Sequence, residues 1–143
     1  MSLIPPVGLT GRHIVVADED PNVVAFIVGT LRGEGHAVFH AYDGLAAVQL
    51  ALALSEVHLL ISNTRVHGVD GIVLIHLLRE RLPSLPVLYL ANGARSTPEM
   101  EARLPRNTPI LREPFTADEI RAAVAMLLNG SAVKSPRDWS PST

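Results

Sequence analysis

Two stretches of this sequence carry side chains of types and spacing that could do chemistry. Asp18-Glu19-Asp20 closes an apolar run, HIVVA (13–17), and is followed at once by Pro21. Neighbouring carboxylates of this kind are oxygen ligands suited to a hard divalent cation. Acids ahead of a helix also favour its positive N-terminal end. Asp20 is assigned that second role alone, and Asp18 and Glu19 remain open to both. The other stretch is VHLLISNTRVHGVDG (57–71), where an apolar run ends at Asn63 and a polar segment closes on Asp70-Gly71. The amide of Asn63 is a poor nucleophile and cannot become an acyl phosphate, although its carbonyl oxygen is a weak cation ligand. Glu113, after a third apolar run, adds another carboxylate. Other chemistries lack their parts. There is no cysteine for thiolate or disulfide chemistry. No glycine-rich loop follows the first apolar run, and the acids there repel an anionic cofactor. No serine and histidine are tied together as nucleophile and base, and His67 has no second histidine paired with it as a metal ligand.

These residues need elements to hold them, and strand-like and helix-like segments alternate along the chain. His13–Ala17 is β-branched and apolar, as a central strand should be. Asp20-Pro21 reads as a helix start, Val24, Ile27, Val28 and Leu31 as its apolar face, and Gly33 and Gly35 as its end. Ala37–Ala41 fits a second strand. Asp43-Gly44 opens a second helix whose packed face is expected at Val48, Ala51, Leu52 and Ser55. Val57–Ser62 is the expected third strand and Ile72–Leu82 the third helix, stopped by Pro83. Pro86–Ala91 fits the fourth strand, Thr97-Pro98-Glu99 caps a short fourth helix, and Thr108–Arg112 fits the fifth strand. Thr116 and Glu119 form a capping box for a last helix with Ile120, Ala123, Val124 and Leu127 on one stripe. Five such units with short connections predict an α/β fold, a parallel sheet covered on both faces. The flavodoxin-like, doubly wound (βα)5 order 2-1-3-4-5 suits the length, and its ligand crevice lies at the C-terminal strand ends. Asp18, Glu19, Asn63, Ala91, Asn92 and Glu113 are expected there. Residues 1–11 read as an N-terminal extension and 130–143 as a disordered tail or linker around a domain at 12–129.

Four landmarks in order, VVADEDP (15–21), Asn63, PVLYLANG (86–93) and ILREPF (110–115), resemble those of bacterial response-regulator receiver domains. The resemblance covers about residues 12–129. It implies two-component or phosphorelay signalling, in which a strand-end aspartate accepts a phosphoryl group from a histidine kinase. It also implies Mg²⁺ held by an acidic pair matching Asp18 and Glu19, a hydroxyl at the position of Ala91, a lysine at that of Glu113, and a cis bond before Pro114. Here the acceptor position carries Asn63, the hydroxyl position the methyl of Ala91, and the lysine position Glu113. The usual aromatic on the fifth strand is replaced by Ile110. His67 stands where many receivers have proline and is expected to loosen its loop, and Gly68 and Gly71 to supply turn geometry. At about 4 Å and an effective dielectric near 20, reversing the charge at Glu113 turns an attraction of roughly 4 kcal/mol for a phosphoryl group into repulsion. The resemblance therefore implies a pseudo-receiver without phosphoryl chemistry, not an enzyme, with weakened Mg²⁺ affinity as its sole cofactor expectation.

Asp18, Glu19 and Glu113 beside a neutral Asn63 put a formal −3 on the crevice. Unless Arg65 or Arg95 reaches in, one carboxyl is expected to titrate high. A bound cation or a neutralising proton or arginine would each relieve this charge, and the sequence leaves both open. The chain of 143 residues is 48% hydrophobic and 18% charged, with formal charge −2. Direct nucleic-acid binding is not expected from that balance. No apolar stretch reaches the roughly 18 residues of a membrane span, and no export leader is read at the start, so a cytoplasmic location is expected. The expected partner is a protein: a sensor kinase, phosphotransfer protein or effector. A homodimer is expected to use the face of helix four, strand five and helix five. Control by a divalent cation or small ligand is the alternative, and a flavodoxin-like enzyme or nucleotide binder is disfavoured by the missing phosphate loop.

Overall fold

The structure is a computed structural model and describes residues 11–129. The expectations for the N-terminal extension and the tail lie outside the described residues, apart from Gly11. Five parallel strands form the sheet: β1 (His13–Ala17), β2 (Ala37–Ala41), β3 (Leu59–Asn63), β6 (Val87–Ala91) and β7 (Ile110–Arg112). Their order is β2-β1-β3-β6-β7. A small antiparallel hairpin, β4 (Arg65–Val66) and β5 (Val69–Asp70), follows β3, so β6 and β7 are the fourth and fifth sheet strands. The flavodoxin-like 2-1-3-4-5 order is thus the observed one. Helices α1 (Pro21–Gly33), α2 (Gly44–Ala53), α3 (Gly71–Arg81), α4 (Pro98–Glu101) and α5 (Ala117–Asn129) connect the strands.

Alternation along each strand divides the core in two. Ile14, Val16, Ile61, Leu88, Leu90 and Leu111 pack with the apolar stripes of α1 and α5. Val15, Ala17, Leu60, Val87, Tyr89 and Ala91 pack with α2 and α3. Side-chain caps start the helices. Asp20 accepts from Asn22 N, Asp43 from Ala46 N, Asp70 from Ile72 N and Thr97 from Met100 N. Thr116 and Glu119 exchange bonds of 3.1 and 2.8 Å, completing the capping box.

Several expectations are corrected. β3 begins at Leu59, because the His13 amide donates to the His58 ring Nδ1, at 2.8 Å, in place of a ladder carbonyl. The buried face of α2 is Gly44, Ala47 and Ala51, with Leu52 41% exposed and Ser55 beyond the helix. Gly44 abuts the β4–β5 hairpin, where an added Cβ would lie 2.3 Å from Val69 Cγ1. α4 is a single turn, and β7 starts two residues later than expected. Ile120, Ala123 and Val124 of the α5 stripe are buried in the domain's own core, and Leu127 packs against it only partly buried. His67 tightens its loop: its N–H donates to Tyr42 O at 3.1 Å and its carbonyl accepts from Gly44 N at 2.9 Å, a donor that proline lacks.

Gly68 does supply turn geometry, at φ 85° between β4 and β5. Gly71 does something else. An added Cβ would fall 1.7 Å from the backbone oxygen of Asn63, so glycine there lets α3 abut the end of β3. Gly29, exposed within α1, has nothing within 4 Å of such a Cβ. Gly71→Ala is therefore expected to destabilise the domain by about 3 kcal/mol, and Gly29→Ala to stabilise it by roughly 0.5–1 kcal/mol. Urea unfolding of both variants checks the pair, and equal effects would contradict this account.

Candidate crevice at the C-terminal edge of the sheet

The ends of β1, β3 and β7 bring Asp18, Asn63 and Glu113 together, although they lie 45 and 50 residues apart in sequence. The carboxamide of Asn63 is the centre. Its Nδ2 donates to Asp18 Oδ2 at 2.7 Å and to Glu113 Oε2 at 2.5 Å. Its Oδ1 accepts from Thr64 N at 2.6 Å, which determines the end of the amide that faces the acids. Asp18 Oδ1 accepts from Asp20 N at 3.0 Å. The Glu113–Pro114 peptide is cis, and Glu113 N donates to Ala91 O at 3.0 Å, so main-chain geometry holds the third member.

Asp18 is 2% exposed and Asn63 4%. Burial pushes the Asp18 carboxyl up to about 6; hydrogen bonds from Asp20 N and Asn63 pull it down, and the Glu113 charge raises it. Arg95 lies 3.5 Å from Glu19, not from the inner pair, and Arg65 is exposed on β4. Together these residues line a cavity of about 360 Å³ with Asp20 and Asn92. Ala91 is fully buried, and its methyl packs with the α2–α3 core. Asn92 does not replace a hydroxyl: its N–H donates to Thr64 Oγ1 and its Oδ1 accepts from Ala94 N.

The residues fit a receiver-type Mg²⁺ poorly. The protons of Asn63 Nδ2 point at carboxylate oxygens a metal would need, and the bond from Thr64 N opposes reversal of the amide. Among the described residues, no group of three or more histidine, cysteine, aspartate or glutamate side chains is arranged to hold a metal. Glu19 therefore stays at the rim, and Asp18 spends its lone pairs inside the protein.

Sequence reasoning missed Thr64, Tyr89 and Ser96. Thr64 looked like a loop residue, yet it is fully buried and its hydroxyl donates to Leu90 O at 2.9 Å. A phenol within PVLYLA was the available signal, since a buried tyrosine hydroxyl requires partners. Tyr89 finds Thr64 Oγ1 at 3.1 Å and Ser96 Oγ at 2.8 Å.

A five-stranded doubly wound sheet with an acidic crevice at its switch point defines a class of signalling and ligand-binding domains. The response regulator receiver domain family matches residues 14–125, and the chain belongs to that family. It is 28% identical over 129 residues to the transcriptional regulatory protein GlrR of Escherichia coli (strain K12), covering 89% of this chain and 28% of that protein. It is 26% identical over 104 residues to the response regulator receiver protein CpdR of Brucella abortus (strain 2308), covering 73% of this chain and 86% of that one. Its fold matches a receiver protein from Sinorhizobium medicae at TM-score 0.75 and 23% identity, over 84% of this chain and 96% of that one. Against GlrR, the chain thus spans little more than a quarter of the relative's length.

The Asp18 value has a consequence for stability. A folded-state pKa near 6, against an ordinary 3.8, means that the folded protein holds the proton more tightly. The resulting stabilisation is complete below about 4 and is lost as pH rises through about 6. At about 1.4 kcal/mol per pH unit this is on the order of 3 kcal/mol. Carbon-detected NMR is expected to place the Asp18 midpoint near 6 and to show it falling in Glu113→Gln. A midpoint near 4 would refute the buried arrangement.

Proposed function

We propose that this receiver domain does not accept a phosphoryl group and acts as a protein-interaction module in a two-component or phosphorelay pathway. One observation carries the reading: the group at the acceptor position, Asn63, donates hydrogen bonds to both acids around it. An acceptor must instead present an oxygen nucleophile with cations to offset the incoming negative charge. Ala91 supplies no hydroxyl, and Glu113 supplies an anion where the family has a lysine. The three substitutions complement one another, since Glu113 is satisfied by the same amide that removed the nucleophile.

The proposed partner is a sensor kinase, a phosphotransfer protein or an effector, met in the cytoplasm by a domain spanning about residues 12–129. The surface proposed for that contact, or for a homodimer, is formed by α4, β7 and α5. Without a phosphoryl ligand to favour one state, the arrangement of this surface is set by the protein's own interactions. A second reading has one observation in its favour: the cavity is lined by four carboxylates against two arginines, Arg65 and Arg95, and only Arg95 lies within ion-pair distance of one of them. A divalent cation at weakened affinity, or a small cationic ligand, would then regulate the domain from Glu19 and the outer oxygen of Glu113. Amide shifts that stay constant up to millimolar Mg²⁺ or Mn²⁺ would eliminate that alternative.

Incubation with acetyl phosphate and Mg²⁺ is expected to add no phosphoryl mass to the intact protein, and an added phosphoryl group would overturn the reading. Asn63→Asp alone is expected not to restore acceptance. It removes two donors and places a third carboxylate against Asp18 and Glu113, so a stability loss of about 2–4 kcal/mol at pH 7.5 is expected in urea unfolding.

A further inference from the structure

We infer that Tyr89 is the centre of a buried latch that ties the crevice to the α4–β7 face and holds that face in one arrangement. The inference deepens the reading above and rests on it: a crevice without phosphoryl chemistry leaves the face to be set from within. The latch is a continuous chain of hydrogen bonds. Asn63 Oδ1 holds the Thr64 main chain, and Thr64 Oγ1 spends its own proton on Leu90 O while accepting from Asn92 N. At the other end, Ser96 Oγ donates to Glu101 Oε2 at 2.7 Å. Glu101 in turn takes two bonds from the Arg112 guanidinium, at 3.0 and 2.7 Å. Thr64 and Ser96 have therefore both committed their protons elsewhere, and the phenol of Tyr89 lies between two acceptors. Its single proton links the halves.

The position of the ring makes the latch hard to open. Tyr89 is fully buried and sits in the β6 ladder opposite Ile110 of β7. Swinging the ring outward would break its packing with the α2–α3 core and leave its hydroxyl without partners. The segment Asn92–Thr97 between β6 and α4 is pinned at both ends by the same chain: Asn92 N reaches Thr64, and Ser96, 8% exposed, reaches Tyr89 and Glu101. Ser96 N also donates to Asn92 O at 2.8 Å. The Arg112 bond holds the Glu101 carboxyl below the usual range, so the terminal acceptor stays charged at neutral pH. A one-turn helix, α4, has little stability of its own. This chain adds to the packing of Met100 against the α2–α3 core in placing it.

Amide hydrogen exchange and microsecond-to-millisecond relaxation dispersion on the full chain test the latch. Wild type is expected to show flat dispersion profiles at residues 92–101 and 112. Tyr89→Phe leaves Thr64 and Ser96 with their own protons satisfied, so the variant is expected to fold. It should raise exchange at residues 92–101 at least tenfold, move the Arg112 Nε resonance, and leave β1 and β3 amides within twofold of wild type. A purely local packing role would not move Arg112. Ser96→Ala, with the ring intact, carries the same expectation. Exchange within twofold of wild type in both variants, or dispersion at 92–101 in wild type, would overturn the latch. Phosphoryl uptake by wild type would sink the crevice reading while leaving the exchange result standing, so the two failures are distinguishable.

Discussion

The carboxamide of Asn63 is the interaction around which the crevice is organised. Three strand ends place acids or their surrogates within a few ångströms, and a parallel doubly wound sheet brings them there whatever their charge. With Asp18 nearly buried and Glu113 beside it, two carboxylates facing each other would be costly without a donor between them. One NH₂ group has two protons and satisfies both. The same amide has its oxygen held by the Thr64 main chain, so the donor end cannot turn away without losing a bond. The hydrogen bonds that satisfy both acids thus come from one neutral group inside the protein.

That arrangement sits on a receiver fold kept whole. The residues that shape the domain are capping aspartates, alternating apolar strands and a glycine where α3 abuts β3. None of them reacts. An acid at 113 is tolerable because Asn63 donates to it. Belonging to the receiver family therefore establishes architecture and signalling class, while activity has to be argued from the site itself.

Beyond the crevice, the polar groups of the α4–β7 side form one connected set instead of separate pairs. Buried polar groups that are fully satisfied favour a single arrangement, since each alternative leaves some member without a partner. The chain from Thr64 through Tyr89 and Ser96 to Glu101 and Arg112 has this property. The bifurcated demand on one phenol proton is what makes the set depend on Tyr89.

Local sequence determined much of this protein. The five βα units, their order, most caps and the apolar face of α1 were legible because period-2 and period-3.6 patterns and capping residues act over a few positions. The residues at 63, 91 and 113 stood out too, as departures from the pattern that the resemblance implies. What only the tertiary structure decided were relations between distant residues. On α2 the fold buried Gly44 and Ala47 with Ala51 and left Leu52 largely out, and His67 tightened its loop through a carbonyl of the β2–α2 turn. Nothing local in the sequence marked Thr64 and Ser96 as partners of Tyr89; the fold brought them together. The relief of the acidic crevice by an amide, with Arg95 left at the rim, was equally hidden. A sequence states which groups can donate or accept; only packing decides which of them come within 3 Å of one another, where hydrogen bonds are made.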